Sequence, residues 1–231
     1  MNTNSTFRDI TGLTKFLKIL LWAGVGWALV SLFSAWLQLQ LLGSGSPSQS
    51  EAQANDSRQQ MVGLFDIVLY VITVIVFARW ILRANHNVRA MGAQNMQVTP
   101  GWAVGYFFVP IVCLWRPYQA MKELWKASHN PAAWQDVQPG SILGLWWTLW
   151  IISNFLGQAS FRISMAARDI SSLQTATIID MVSDVSHIAL CIAAITLISQ
   201  IRESQINQPA PNKSPEPTPV GAVSPPSRAE S

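Results

Sequence analysis

Four stretches of this chain stay apolar for the length of a bilayer, and a fifth does so for only half that length. The first covers about residues 17–42. Within it, Ile19 to Leu42 is 24 residues without a charge, and as a helix the whole stretch would reach about 39 Å, enough to span with tilt. The second, about 61–82, is rich in Val and Ile, with Asp66 towards one end and Arg79 towards the other. The third, about 142–160, contains Trp146, Trp147 and Trp150 and has no charge between Asp136 and Arg162. The fourth, about 180–201, carries Asp180, Asp184 and His187 in its first half and is closed by Arg202. Residues 43–60, mostly Gly, Ser, Gln, Asn and Pro, lack the side chains to bury a core and read as a flexible loop. Residues 84–99 read as a polar connection. Residues 161–179, mixed and rich in Ser and Thr, read as a second, partly helical loop. From residue 206 the prolines accumulate and a disordered tail is expected to 231.

The short fifth stretch lies in PGWAVGYFFVPIVCLWRPYQAMKELW, residues 100–125. Trp102 to Trp115 would cover only about 21 Å of a roughly 30 Å hydrocarbon core. Pro110 interrupts it, removing a helical hydrogen bond. Bases flank both sides: Arg79, Arg83 and Arg89 before, Arg116, Lys122 and Lys126 after. Residues 101–116 are therefore expected to dip into the membrane or lie at its interface and return, with Pro100, Gly101, Trp102, Pro110, Trp115 and Pro117 shaping the turn. Over residues 118–128, Tyr118, Met121, Leu124 and Trp125 recur on one helical face, with Lys122, Glu123 and Lys126 on the others. That pattern suits an amphipathic helix at the headgroups or on the protein's own surface.

Charge then sets orientation. With the N-terminal segment 1–16 in the cytoplasm and four spans, Arg8, Lys15, Lys18, Arg83, Arg89, Arg116, Lys122, Lys126 and Arg202 are cytoplasmic, and only Arg58, Arg162 and Arg168 are external. Bases prefer the cytoplasmic side. A fifth crossing would move Arg116, Lys122 and Lys126 outside, so four spans fit better and five stand as the alternative. The expected fold is an all-α integral membrane domain over 17–205, two helical hairpins with the dip and the amphipathic helix between them. The uncharged first run is longer than the apolar core of a cleavable signal, which is about 7–15 residues, so it is read as a retained helix.

Only 12% of the 231 residues are charged, about half the usual share of a soluble domain. No basic run or basic face suggests nucleic acid. Cys113 and Cys191 sit in apolar segments without metal or redox spacing. The histidines, His86, His129 and His187, are scattered, so no metal and no cofactor is expected. No nucleophile, phosphate-loop or dinucleotide motif is present, and an enzyme is not expected.

PGWAV, the aromatic pair Phe107-Phe108, VPI and LWRPYQAMKELW, with Asn85-His86-Asn87-Val88-Arg89 before them and Trp146-Trp147 after, resemble the bacterial membrane-protein family called domain of unknown function 4328. The resemblance covers about residues 60–205. It implies a multi-pass protein of a bacterial cytoplasmic membrane and brings no activity or catalytic residue with it.

Two groups of residues are candidates for a site. Asp180, Asp184 and His187 fall four and three apart, on one helical face, with Asp66 at a similar depth and Arg162 and Arg168 within reach in the adjoining loop. Ionisable groups inside a membrane usually face a bundle interior or a water path. The competing reading is that the two acids simply begin the last helix, where its dipole favours them. The second group, Arg116, Lys122 and Lys126, could hold an anionic headgroup or solute, or merely anchor the dip. The expected function is non-enzymatic binding of membrane lipid or of a partner, either a second copy or another membrane protein. The alternative is a small oligomeric transporter or channel component using the intramembrane acids.

Overall fold

The computed structural model describes residues 7–45 and 47–208, which are helical with short connections and contain no strand. Six helices follow one another: α1 (Thr11–Gly43), α2 (Gln49–Ala90), α3 (Pro100–Gly105), α4 (Arg116–His129), α5 (Ser141–Ala166) and α6 (Ile170–Asn207). Among the described residues, α1, α2 and α6 are long and apolar enough to cross a membrane. α5 has the length, at 26 residues, but Trp, Ser, Asn, Gln and Gly dilute its apolar run. The two expected hairpins form, α1 with α2 and α5 with α6, and extensive packing of α1 on α6 joins them. The order around the bundle is therefore α2, α1, α6, α5, with α4 closing one end against α6, α2 and α5.

The α1–α6 junction follows a sequence rule. Thr14, Leu17, Leu21, Gly24, Ala28, Ser31, Ala35 and Gln38 step by three and four along α1. Thr177, Asp180, Asp184, His187, Cys191, Ala194, Ile198, Ile201 and Gln205 do the same along α6. This is the seven-residue repeat that keeps one seam facing a partner helix. The contacts fix an antiparallel register: Gln38 Nε2 donates to Thr177 Oγ1 at 2.9 Å, Ser31 meets Asp184, and Gly24 sits against Cys191 and His187. Seven residues back along α1 match seven forward along α6 at each step. Large aliphatics face each other at the α4 end. Towards the other end, small residues of α1 make room for the polar half of α6.

Several expected connections are helix instead. α2 starts at Gln49, not near residue 61, because Ser48 and Glu51 cap it reciprocally: Glu51 N donates to Ser48 Oγ at 3.3 Å and Ser48 N to Glu51 Oε2 at 2.8 Å. Its first turns bond back to α1, with Arg58 Nε donating to Ser34 Oγ at 3.1 Å and Arg58 Nη2 to Ser34 O at 3.3 Å. The supposed flexible loop is thus reduced to a tight connection. At its other end α2 runs on to Ala90, where Gly92, at φ +100°, stops it. Gly92 N donates to Arg89 O at 3.1 Å and Ala93 N to Val88 O at 3.0 Å, the bond pair of a left-handed helix terminator. The second expected loop, 161–179, is also mostly helix. α5 continues to Ala166 and α6 begins at Ile170, where the Asp169 carboxylate accepts from Ser172 N at 2.7 Å. The tail expected from 206 lies outside the described residues beyond Gln208.

Residues 100–116 are not one helix. Thr99 caps α3, a single 3-10 turn follows at Tyr106–Phe108 and another at Val112–Leu114. Between the turns, Ile111 adopts φ 67° and ψ −53°, and Val112 N donates to Pro110 O at 2.7 Å. This is the rare γ-turn with positive φ, held by a β-branched residue for which that region is an outlier.

Of the two settings expected for α4, its apolar face takes the protein's own surface, packed on α6, α2 and α5. Met121, Leu124 and Ala127 are wholly buried, because the ends of α2, α5 and α6 offer its apolar face a dry partner. A buried polar knot fastens it there. Gln205 Nε2 donates to Ala84 O at 3.1 Å and Ser128 Oγ at 3.0 Å, and Asn87 Nδ2 to Gln205 Oε1 at 3.2 Å and Arg8 O at 2.8 Å.

Candidate functional site

α2 and α5 sit at opposite ends of the helix order and leave a gap between them, approached from both sides by the rings of Phe77 and Trp146 at 6.3 Å. The gap is a groove of about 640 Å³, within the range of about 300–1,000 Å³ typical of small-molecule sites. From Asp66 to Ile81 it runs about 22 Å along α2, longer than the roughly 15 Å depth of one leaflet's hydrocarbon. α1 and α6 form the back wall through Leu20, Gly24, His187 and Cys191. Val104, Phe107, Phe108 and Cys113 of the broken segment contribute to its lining near the α4 end.

The walls are mostly apolar, and the polar ones collect towards the end away from α4. There α2 supplies Asp66, α5 supplies Ser153, Asn154 and Gln158, and α6 supplies Ser183 and His187. Asp66 is exposed, lines the groove with His187, accepts no hydrogen bond among the described residues and interacts electrostatically with His187. His187 Nε2 lies 3.5 Å from Cys191 Sγ.

Asp180 and Asp184 are near but not in the groove wall. They sit on the α1–α6 seam, Asp180 accepting from Ser160 of α5 and Asp184 approached by Ser31 of α1. Asp184 Oδ2 is buried with no hydrogen-bond partner. α6 begins ten residues before Asp180, so neither acid caps it, and the reading of them as helix-initiating residues falls away. The four intramembrane candidates are brought together, whereas Arg162 and Arg168 are exposed and form no ion pair with them among the described residues.

The basic candidates lie apart from this cluster. Arg116 is exposed, with its guanidinium 5.7 Å from the Tyr106 ring and Nη1 donating to Gln119 at 3.4 Å. Lys126 Nζ donates to Gln135 O at 2.6 Å, and Lys122 is half-buried beside Glu123. Of the motif residues, Pro100 opens α3, Gly101 follows it exposed, Trp102 stacks on Tyr106 at 5.1 Å, Pro110 makes the γ-turn, Trp115 is exposed and Pro117 is buried in the first turn of α4.

Glu123, read from the sequence as part of a polar face, is a fastening position that reading missed. It is buried, and its two oxygens accept from Gln97 N at 2.5 Å and Val98 N at 3.1 Å. Arg89 Nη2 donates to Val98 O at 2.7 Å. The strand of chain entering the broken segment is thereby fastened to the helix leaving it. Burial pushes the Glu123 carboxyl above its ordinary value, against the two backbone bonds and the charge of Arg89. No local sequence signal marks a contact between residues 97 and 123. The groove-lining Ser153, Asn154 and Gln158 were missed as well, although with Trp150 and Gly157 they follow three- and four-residue steps along α5 that could have been read as one face.

A family model described as Domain of unknown function (DUF4328) matches residues 44–203, a block holding α2 to nearly all of α6 and leaving α1 outside. No curated protein and no solved structure matches the chain.

Proposed function

We propose that this chain, which belongs to the DUF4328 family, is a non-enzymatic, multi-pass protein of a bacterial cytoplasmic membrane that binds a lipid-like amphiphile in the groove between α2 and α5. The observation that carries this is the groove's chemistry: an apolar channel about 22 Å long, lined by Phe77, Phe107, Trp146 and Trp150, with its polar groups at one end. An apolar body gains from burial along the walls, and a polar end meets Asp66, Asn154 and Gln158.

The membrane arrangement we favour has four spans, α1, α2, α5 and α6, with the N-terminus cytoplasmic. Residues 100–116 enter and leave on one side. The Glu123 clamp supports this, since a crossing segment would carry residues 97–98 and α4 to opposite faces, about 30 Å apart. α4 also packs beside Arg202 and the base-rich end of α2, so the basic asymmetry and the packing point the same way.

Transport through Asp66, Asp180, Asp184 and His187 is the second reading, supported by their gathering. A mostly apolar groove whose walls exclude Asp180 and Asp184 supports binding instead. A second copy or another membrane protein could contact the exposed apolar face of α2.

Native mass spectrometry of protein extracted directly from membranes tests the binding reading. The wild type is expected to retain an amphiphile adduct. Gly157→Phe, built where a Cβ meets nothing within 4 Å, should fill the groove and reduce the adduct at least about tenfold, or about 1.4 kcal/mol. Equal adducts on both proteins would refute the groove as the site.

A further inference from the structure

We infer that the groove selects an amphiphile whose polar end is a protonated amine, an inference that rests on the binding reading above. The ionisable side chains along its walls are Asp66, Tyr70, Cys113, His187 and Cys191. There is no lysine or arginine among them. At the polar end the carboxylate of Asp66 stands with the acceptor-bearing Asn154, Gln158, Ser153 and Ser183, and Asp180 and Asp184 lie behind it on α6. From α1 the groove receives Leu20, Leu21 and Gly24, and Trp27 packs on Phe65, the neighbour of Asp66, at 4.0 Å, none of them a cation. Arg58, the next cation outward on α2, lies two turns or about 12 Å from Asp66 and is already bonded to Ser34 and Asn55.

An anionic headgroup placed there would meet the Asp66 carboxylate with no lysine or arginine on the walls to offset it, His187 being the lining side chain that can carry positive charge, and an imperfectly paired charge is costly where water is scarce. An ammonium group would give Asp66 the hydrogen-bond donor it lacks among the described residues. Aromatic rings complete the preference. Tyr70 is at the polar end, with Trp150 and Phe107 below it and edge-on to each other at 5.9 Å, and ring faces attract cations. The bases Arg79, Arg83, Arg116, Lys122 and Lys126 gather towards the opposite end, so a cation entering with its head at Asp66 is kept clear of them.

Of the chain's two cysteines, Cys191 is buried and Cys113 is half-buried in the groove wall, so labelling of Cys113 by maleimide reports the groove's occupancy. In phosphatidylcholine nanodiscs, labelling rates are measured by intact mass against dodecylamine, dodecanol and dodecanoate, for the wild type, Asp66→Asn and Asp66→Glu. Dodecylamine is expected to slow labelling of the wild type at a concentration at least about tenfold lower than it needs for Asp66→Asn. Dodecanol should be equally effective on both, and Asp66→Glu should keep the amine response. Comparing variants for each ligand removes differences in membrane partitioning. If all three ligands protect and Asp66→Asn changes none of them, amine selectivity is wrong and amphiphile binding stands. If none protects, both inferences fail. If Asp66→Asn loses dodecanol protection too, its groove has collapsed and Asp66→Glu decides: retained amine potency supports the inference and a loss overturns it.

Discussion

Glu123 shows how one side chain can hold a segment that has no regular structure of its own. Its burial raises its pKa above the ordinary 4.5 of a glutamate, so between that value and the raised one the native protein binds more protons than the unfolded chain. Its contribution to stability is therefore complete below the unfolded pKa and lost as pH rises through the folded one. Thermal unfolding of the wild type and Glu123→Gln, followed from about pH 4 to pH 7, should show the wild type losing stability relative to the variant as pH rises. A parallel pair of curves would mean that the carboxyl does not titrate differently on folding. The sequence announces Glu123 as a charged residue on an amphipathic helix, which is true. That its partners are the amides of residues 97 and 98 depends on the path of the chain between, and no periodicity encodes that. Asp66 is the opposite case: an acid inside an apolar run declares itself, and only its want of a partner needed the structure.

Glycine marks where elements come closest, and two of them separate cleanly. At Gly140 a Cβ would lie 2.9 Å from Cζ2 of Trp125, a ring that is buried and stacked on His129 at 3.7 Å. Gly140→Ala should cost about 1–3 kcal/mol by overpacking. At Gly24 a Cβ would make ordinary contacts of 3.6 Å with Cys191 and His187, so Gly24→Ala should change stability little or raise it slightly through helix propensity. Chemical or thermal unfolding of the two variants measures the contrast, and equal losses would contradict the seam geometry. The long helices and the broken segment could be read from apolar runs and prolines. The start of α2 could have been read from Ser48 and Glu51, but polar composition outweighed the cap. The α1–α6 repeat was also present in the letters. It was obscured because Asp180, Asp184 and His187 occupy seam positions where a hydrophobic pattern expects aliphatics.

For the whole molecule, orientation is the property most open to direct measurement. Cysteines introduced at Ser50 and at Pro215, in a background with Cys113 and Cys191 replaced by Ala, should label from opposite sides of the membrane with an impermeant reagent. Labelling from one side would exclude four spans. The expectation rests on where the bases fall and on the attachment of α4 beside the end of α6.

The seam between α1 and α6 also has a meaning in time. Ser31 is synthesised 153 residues before its partner Asp184, and at about 5–20 residues per second the ribosome needs roughly 8–30 s to bridge that interval. In the four-span arrangement proposed above, the stripe of Gly24, Ala28, Ser31 and Ala35 faces lipid until then, and a lone serine hydroxyl there can turn back to its own helix at little loss. The acids of α6 have no such refuge and must find cover soon after they emerge. Docking of the last helix on the first must therefore come late in synthesis, and a nascent chain halted before residue 180 would leave the seam face of α1 uncovered although α2 is already in place.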